Sequence, residues 1–154
     1  MFDSLLELIK NKAFYHSSKV SKQGFDLLKK LLTKFPPSKS FPILDIYRMF
    51  LLHPHSSEHY KLFESGLEYL NLLLSHLKDE SSPQATHLVA LRCLVNLFHN
   101  NASLFLLQQK RQYILDNTCQ FLYNDNKNVR QAAITLLLNY SIQFLDKPDP
   151  EGKV

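Results

Sequence analysis

The chain has 154 residues, of which 45% are hydrophobic and 21% charged, and it contains 3 glycines. That composition suits one folded domain and excludes a disordered chain; scarce Gly with abundant Leu favours helices over a turn-rich β fold. The net charge of +4 suits an acidic partner but is too mild for a nucleic-acid tail or a polybasic membrane segment, and no apolar run reaches the ~18–20 residues that span a bilayer.

Ser4 and Glu7 match the S-x-x-E capping box, which predicts a first helix from Ser4 with Leu5, Leu6, Leu8 and Ile9 as its apolar side. Residues from Tyr15 to Lys19 read as a connection. A second helix is predicted from about Ser21 to Lys34. Phe25, Leu27, Leu28, Leu31 and Leu32 recur there at three- and four-residue steps, with Lys22, Lys29, Lys30 and Lys34 opposite as a solvated face. Gly24 weakens its first turns by about 1 kcal/mol relative to alanine. Pro36 and Pro37 end it. Pro42 opens a third helix that runs to about His53, and Pro54 stops that one.

Ser56 or Ser57 can cap a short helix through Phe63. Gly66 either separates it from the apolar segment Leu67 to Leu77 or kinks a longer helix. After a polar break from Lys78 to Ser82, Ser82 as N-cap and Pro83 at the first helical position begin a long helix to about Asn100. Helices from Ala102 to Gln108 and from Arg111 to Tyr123 follow. Asn124, Asp125 and Asn126 form a turn, with Asn126 as the next cap. The last helix is predicted from Val129 to about Leu145. The tail, 146–154, lacks an apolar pattern and is expected to be mobile.

Two of these helices repeat one pattern. Aligning Asn96 with Asn139 sets Val89 on Ala132, Ala90 on Ala133, Leu91 on Ile134, Leu94 on Leu137 and Val95 on Leu138. A weaker copy, Leu44 to Leu52, places Arg48 on Arg92. The period of about 43 residues is that of armadillo and HEAT repeats. The expected fold is all-α: an armadillo/HEAT-like right-handed solenoid of about three helical repeats, forming a single domain over 1–154. Such repeats bury their apolar faces only by stacking.

Stacking aligns equivalent positions. Arg48, Arg92 and Thr135 should form one row, and Leu52, Asn96 and Asn139 a second row four residues on. Two readings are open for each row. The asparagines either satisfy a neighbouring turn's carbonyl or hold the backbone of an extended peptide. The arginines either lie on a solvated face or recognise carboxylates through paired, charge-assisted hydrogen bonds on a concave wall. The second pair of readings describes a peptide groove with an acidic preference.

Other clusters point less clearly to chemistry. His55 and His59 have i, i+4 spacing beside His53, but further zinc ligands at fitting positions are not evident. Cys93 and Cys119 lie in apolar helical patterns and read as packed, reduced thiols of a cytoplasmic or nuclear protein. Neither a phosphate-binding loop, a dinucleotide fingerprint nor a nucleophile elbow occurs. The residues therefore suggest no enzyme, no cofactor and no metal. Helical repeats can read one base per repeat, but the modest charge and few repeats argue against nucleic acid.

FPILDIYR (Phe41 to Arg48), LVALRCLVNLF (Leu88 to Phe98), NKNVRQAAITLLLNYS (Asn126 to Ser141) and EGK (Glu151 to Lys153) resemble the PUL domain. This is an armadillo-like module of the phospholipase-activating protein family of ubiquitin–segregase adapters. The likeness covers the chain from Phe41 onward; the first forty residues share only a helical pattern. The resemblance implies an adapter in ubiquitin-dependent protein handling, which binds the short acidic C-terminal tail of the valosin-containing AAA+ ATPase. It implies Arg48 and Arg92 as carboxylate partners, Asn96 and Asn139 as backbone clamps, and Tyr140 as a wall of the groove. The alternative is a generic armadillo scaffold for another acidic peptide or protein. The family domain has about six repeats, so a shortened domain is expected here. Its last helix should expose a face open to self-association.

Overall fold

A computed structural model of the chain describes residues 2–11, 13 and 17–145. The tail expected to be mobile, 146–154, and its EGK motif lie outside the described residues. Eight α-helices carry the described chain: α1 (Phe2–Lys10), α2 (Lys22–Lys34), α3 (Phe41–Phe50), α4 (Phe63–Lys78), α5 (Gln84–Leu97), α6 (Asn101–Gln109), α7 (Arg111–Thr118) and α8 (Lys127–Phe144). Short 3-10 turns at Pro37–Lys39, Pro54–His59 and Cys119–Tyr123 link them.

The helices stack as a solenoid. α1 packs on α3, α3 on α5, and α5 on α8, which makes one row; α2 packs on α4, and α4 on α6 and α7, which makes the row behind. The three copies of the repeated pattern are thus consecutive members of one row. The architecture is the armadillo-like helical-repeat solenoid that the 43-residue period implies. One core runs along it, from Leu5 and Ile9 through Leu44, Tyr47, Phe50, Leu70, Leu91 and Leu94 to Val129 and Leu136. Burial of each large aliphatic side chain contributes about 1.5–3 kcal/mol.

Two glycines sit where neighbouring segments pack closely. Gly66 lies inside α4 and neither ends nor separates it; a Cβ there would meet Leu106 Cδ2 and Tyr60 Cδ1, each at 3.0 Å. A Cβ on Gly24 would meet Val20 Cγ1 at 3.1 Å and Leu5 Cδ1 at 3.5 Å, where α2 crosses α1. Both glycines are placed for close packing, and their cost in helix propensity is offset by that contact.

Several termini differ from expectation. α1 already includes Ser4, so the predicted capping box falls inside the helix. Ser21 does cap α2, accepting the Gly24 N–H at 3.2 Å. The segment after α3 is capped not by a serine but by His53, whose Nδ1 accepts the His55 N–H at 3.1 Å. Pro83, not Ser82, precedes the first residue of α5, and the Ser82 side chain is buried instead. The helix predicted from Arg111 to Tyr123 tightens into a 3-10 turn at Cys119. Asn126 caps α8 through the Asn128 N–H, as its turn sequence implies.

Candidate functional site

The row of equivalent positions converges. Arg48 on α3, Arg92, Val95 and Asn96 on α5, and Asn128, Gln131, Ala132 and Thr135 on α8 line a single concavity of about 300 Å³. Three helices meet along one row because their apolar stripes face the same core. The intervening positions of each helix then point to the open side. The lining is cationic and amide-rich: two guanidiniums, three carboxamides and a hydroxyl surround two small apolar side chains.

Arg48 is held in place. Its Nε donates to Asp45 Oδ1 at 2.7 Å, one helical turn back. Its terminal nitrogens make no hydrogen bond within the described residues, so they remain donors toward the concavity. Arg92 is exposed and forms no ion pair among the described residues. Two arginines with spare donors in one hollow can each take a carboxylate by a bidentate pair.

Asn96 plays the structural part considered for it. Its Nδ2 donates to the main-chain carbonyl of Arg48 at 2.9 Å. That carbonyl lies at the C-terminal end of α3, where the Leu52 N–H bonds Met49 instead, so Asn96 satisfies an otherwise orphaned acceptor. The side-chain oxygen of Asn96 makes no hydrogen bond among the described residues, and Asn96 itself lines the same concavity.

The remaining predicted residues lie elsewhere. Tyr140 is 6% exposed. Its hydroxyl donates to the Leu107 carbonyl at 3.2 Å, and its ring stands edge-on to Phe98 at 4.9 Å. It ties α8 to α6 and the end of α5, and burial pushes its phenol above the usual range. Asn139 is half-buried on α8, and the concavity is closed on that helix by residues further toward its N-terminus. Leu52 lines a different hollow with His53, Ser56, His99 and Asn100. The sequence pattern does not single out Gln131 and Asn128, although they lie one and two helical turns before Thr135 on the same face.

The histidines form a clasp. His53 Nε2 meets Ser18 Oγ at 3.0 Å, and His55 Nδ1 accepts the Val20 N–H at 3.0 Å. The segment entering α2 is thereby pinned to the 3-10 turn after α3. His59 is 7% exposed, and its ring lies against Phe25 at 4.2 Å and Tyr69 at 4.3 Å. Burial, with smaller pushes from His55 and Lys29, lowers its pKa to about 4. Among the described residues, no group of three or more His, Cys, Asp or Glu is placed to hold a metal ion.

The cysteines differ from each other. Cys93 is fully buried with Sγ 3.6 Å from the Leu44 carbonyl, and burial pushes its thiol well up. Cys119 is exposed, not packed as its apolar surroundings in sequence suggest. The 3-10 turn rotates it out of the α7 stripe. No helix among the described residues is long and apolar enough to cross a membrane.

A solenoid of stacked helices presenting a cationic, amide-lined hollow is a protein-interaction module of the helical-repeat class. The chain belongs to the PUL-domain family: the PUL domain family model matches it over residues 1–154. That match includes the first forty residues, where the sequence alone shows only a helical pattern. The chain is 31% identical over 151 residues to Phospholipase A-2-activating protein of Xenopus laevis, covering 98% of this chain and 18% of that relative. It therefore spans less than a fifth of the length of the curated relative it matches.

Proposed function

We propose that the chain is a non-enzymatic adapter module, and that its basic hollow binds the acidic C-terminal tail of the valosin-containing AAA+ ATPase in ubiquitin-dependent protein handling. The observation that carries the reading is the convergence of Arg48 and Arg92 with Asn96, Gln131 and Thr135 in one concavity. Carboxylates of the tail pair with the two guanidiniums. The Asn96 side-chain oxygen and the Gln131 amide bond its backbone, as an extended peptide requires. Family membership supports an interaction role. The lining favours no nucleophile–base pair, since it holds no histidine, cysteine or serine.

Fluorescence anisotropy of a labelled tail peptide tests this with the wild-type chain, Arg48→Glu and Arg92→Glu. A charged hydrogen bond contributes roughly 1.5–3 kcal/mol, so each reversal should weaken binding by about 10-fold or more. A peptide with its acidic residues neutralised should bind no better than the reversed variants. Equal binding of unrelated acidic peptides would instead favour the generic scaffold. Binding that ignores both reversals, or no saturable binding, would reject the groove.

A further inference from the structure

The mild net charge is made of two unequal parts. Residues 1–39 hold eight lysines against three carboxylates, a net of +5, and residues 40–154 hold ten basic against eleven acidic side chains, a net of −1. From Leu27 to Leu44 the chain has four lysines and no acidic residue. Lys29 is taken up by Glu68 at 2.8 Å. Lys30, Lys34 and Lys39 are exposed and form no ion pair among the described residues. Lys30 and Lys34 stand one helical turn apart on α2, and Lys39 ends the 3-10 turn that follows.

The same turn presents aromatic surface. Phe35 and Phe41 flank it and are 39% and 41% exposed, with Pro36, Ser38 and Pro42 exposed beside them. The turn is firmly anchored. The Lys39 N–H bonds the Pro36 carbonyl at 2.9 Å, and the Ser40 N–H bonds the Pro37 carbonyl at 3.4 Å. Ser40 is fully buried; its hydroxyl donates to the Pro37 carbonyl at 2.9 Å and lies 3.3 Å from His76 Nδ1 on α4. Thr86 Oγ1, at the start of α5, donates to the same carbonyl at 3.3 Å. Contacts from α4 and α5 therefore hold an outward turn that keeps two phenylalanines partly in solvent. Exposed aromatic surface of this kind, framed by cations, marks an interaction site.

We infer that this turn docks the chain on an anionic lipid surface. Phe35 and Phe41 enter the boundary between headgroups and acyl chains, and Lys30, Lys34 and Lys39 lie among the headgroup charges. Charge complementarity selects an anionic occupant. The shape selects a bilayer, because a soft planar surface takes up rings that project from a convex turn. Lysine stems carry their ammonium groups back to the headgroups while the rings go deeper. The adjoining α4–α5 turn carries Asp79 and Glu80, and the Asp79 carboxylate is turned onto Ser81. Each lysine near an anionic surface contributes about 5-fold in partitioning, so three free lysines contribute about 100-fold. Docking is accordingly weak and reversible, comparable to that of a single acyl chain. Arg48 lies about 10 Å along α3 from Phe41. The hollow is thus a separate surface, and the inference does not rest on what it binds.

Co-sedimentation of the full chain with vesicles tests it. Vesicles of phosphatidylcholine mixed with phosphatidylserine should bind the chain, less as salt rises, and pure phosphatidylcholine vesicles should not. The triple variant Lys30→Glu, Lys34→Glu and Lys39→Glu should lower partitioning by about 100-fold or more, and Phe35→Ser with Phe41→Ser by about 10-fold. Helical circular dichroism and the unfolding midpoint should stay as in the wild type. The chain has no tryptophan, so Phe35→Trp reports depth. Its emission should shift to the blue on mixed vesicles and be quenched by bromine-labelled acyl chains. Absence of vesicle binding, equal binding to neutral vesicles, indifference to the lysine reversals, or an unshifted reporter would overturn the inference. So would an oligonucleotide or polyglutamate that binds through the same lysines while vesicles do not.

Discussion

The side-chain amide of Asn96, on α5, donates a 2.9 Å hydrogen bond to the main-chain carbonyl of Arg48, on α3. This bond joins two adjacent members of the row and fixes the height of one arginine-bearing turn relative to the next. The same residue that closes the helix end therefore also sets the geometry of the hollow.

Removing the bond should be felt in stability. Asn96→Ala leaves the Arg48 carbonyl, at the end of α3, without a protein partner. The expected loss is about 1–2 kcal/mol, because an orphaned polar group loses its partner without regaining full hydration. Urea unfolding followed by circular dichroism measures it; an unchanged midpoint would contradict the role.

Asp45 holds the Nε of Arg48 at 2.7 Å and is itself a carboxylate beside the proposed site. An incoming acidic side chain is repelled by it and competes with it. Asp45→Asn should therefore tighten binding of an acidic peptide by about 2- to 5-fold at low ionic strength, with the gain fading as salt is added. Weaker binding would mean that Asp45 chiefly orients the guanidinium.

Gly66→Ala tests the close approach of α4. Helix propensity alone predicts a gain of nearly 1 kcal/mol. The added Cβ would stand 3.0 Å from Leu106 Cδ2 and from the Tyr60 ring, and that ring is held by the 2.7 Å hydrogen bond between the Tyr60 and Tyr47 hydroxyls. The steric term should win, giving a net loss of about 1 kcal/mol or more in thermal or urea unfolding.

Acid should weaken the clasp region first. The pKa of His59 is lowered from 6.5 to about 4 in the folded chain, and burial shifts His76 in the same direction. Between these values the unfolded chain binds more protons, so stability falls as pH drops from about 6.5 toward 4. His59 alone accounts for on the order of 2–3 kcal/mol across that window. His59→Phe should flatten this part of the stability–pH curve measured by urea unfolding; an unaltered slope would refute the assignment.

Thiol titration separates the two cysteines. Cys119 is exposed and should react with a disulfide reagent promptly in the native chain. Cys93 is buried with its thiol held protonated, and should react only on unfolding. Two fast thiols would contradict the packing of α5 against α3.

Much of the fold was legible in the residues themselves. The near-43-residue recurrence ending in Asn96 and Asn139 assigned the helical row, since a repeated apolar stripe has to be buried in the same way each time. Pro36, Pro37, Pro54 and Asn126 marked true breaks, because their backbone restrictions and caps act locally. The alignment of Arg48, Arg92 and Thr135 was equally legible, as stacking turns equal positions into neighbours.

What the residues could not decide depends on distances between helices. Whether Gly66 breaks α4 or admits Leu106 and Tyr60 is a question of interhelical approach. The family resemblance implies Tyr140 as a groove wall, whereas in the fold it is buried and its hydroxyl bonds the Leu107 carbonyl of α6. His53, His55 and His59 cluster in sequence as ligands would. The tertiary structure directs them to Ser18, Val20 and an aromatic cage instead. Local sequence determines which backbone segments become helical and which faces are apolar; only packing determines which polar side chains are consumed in holding the helices together and which are left facing the hollow.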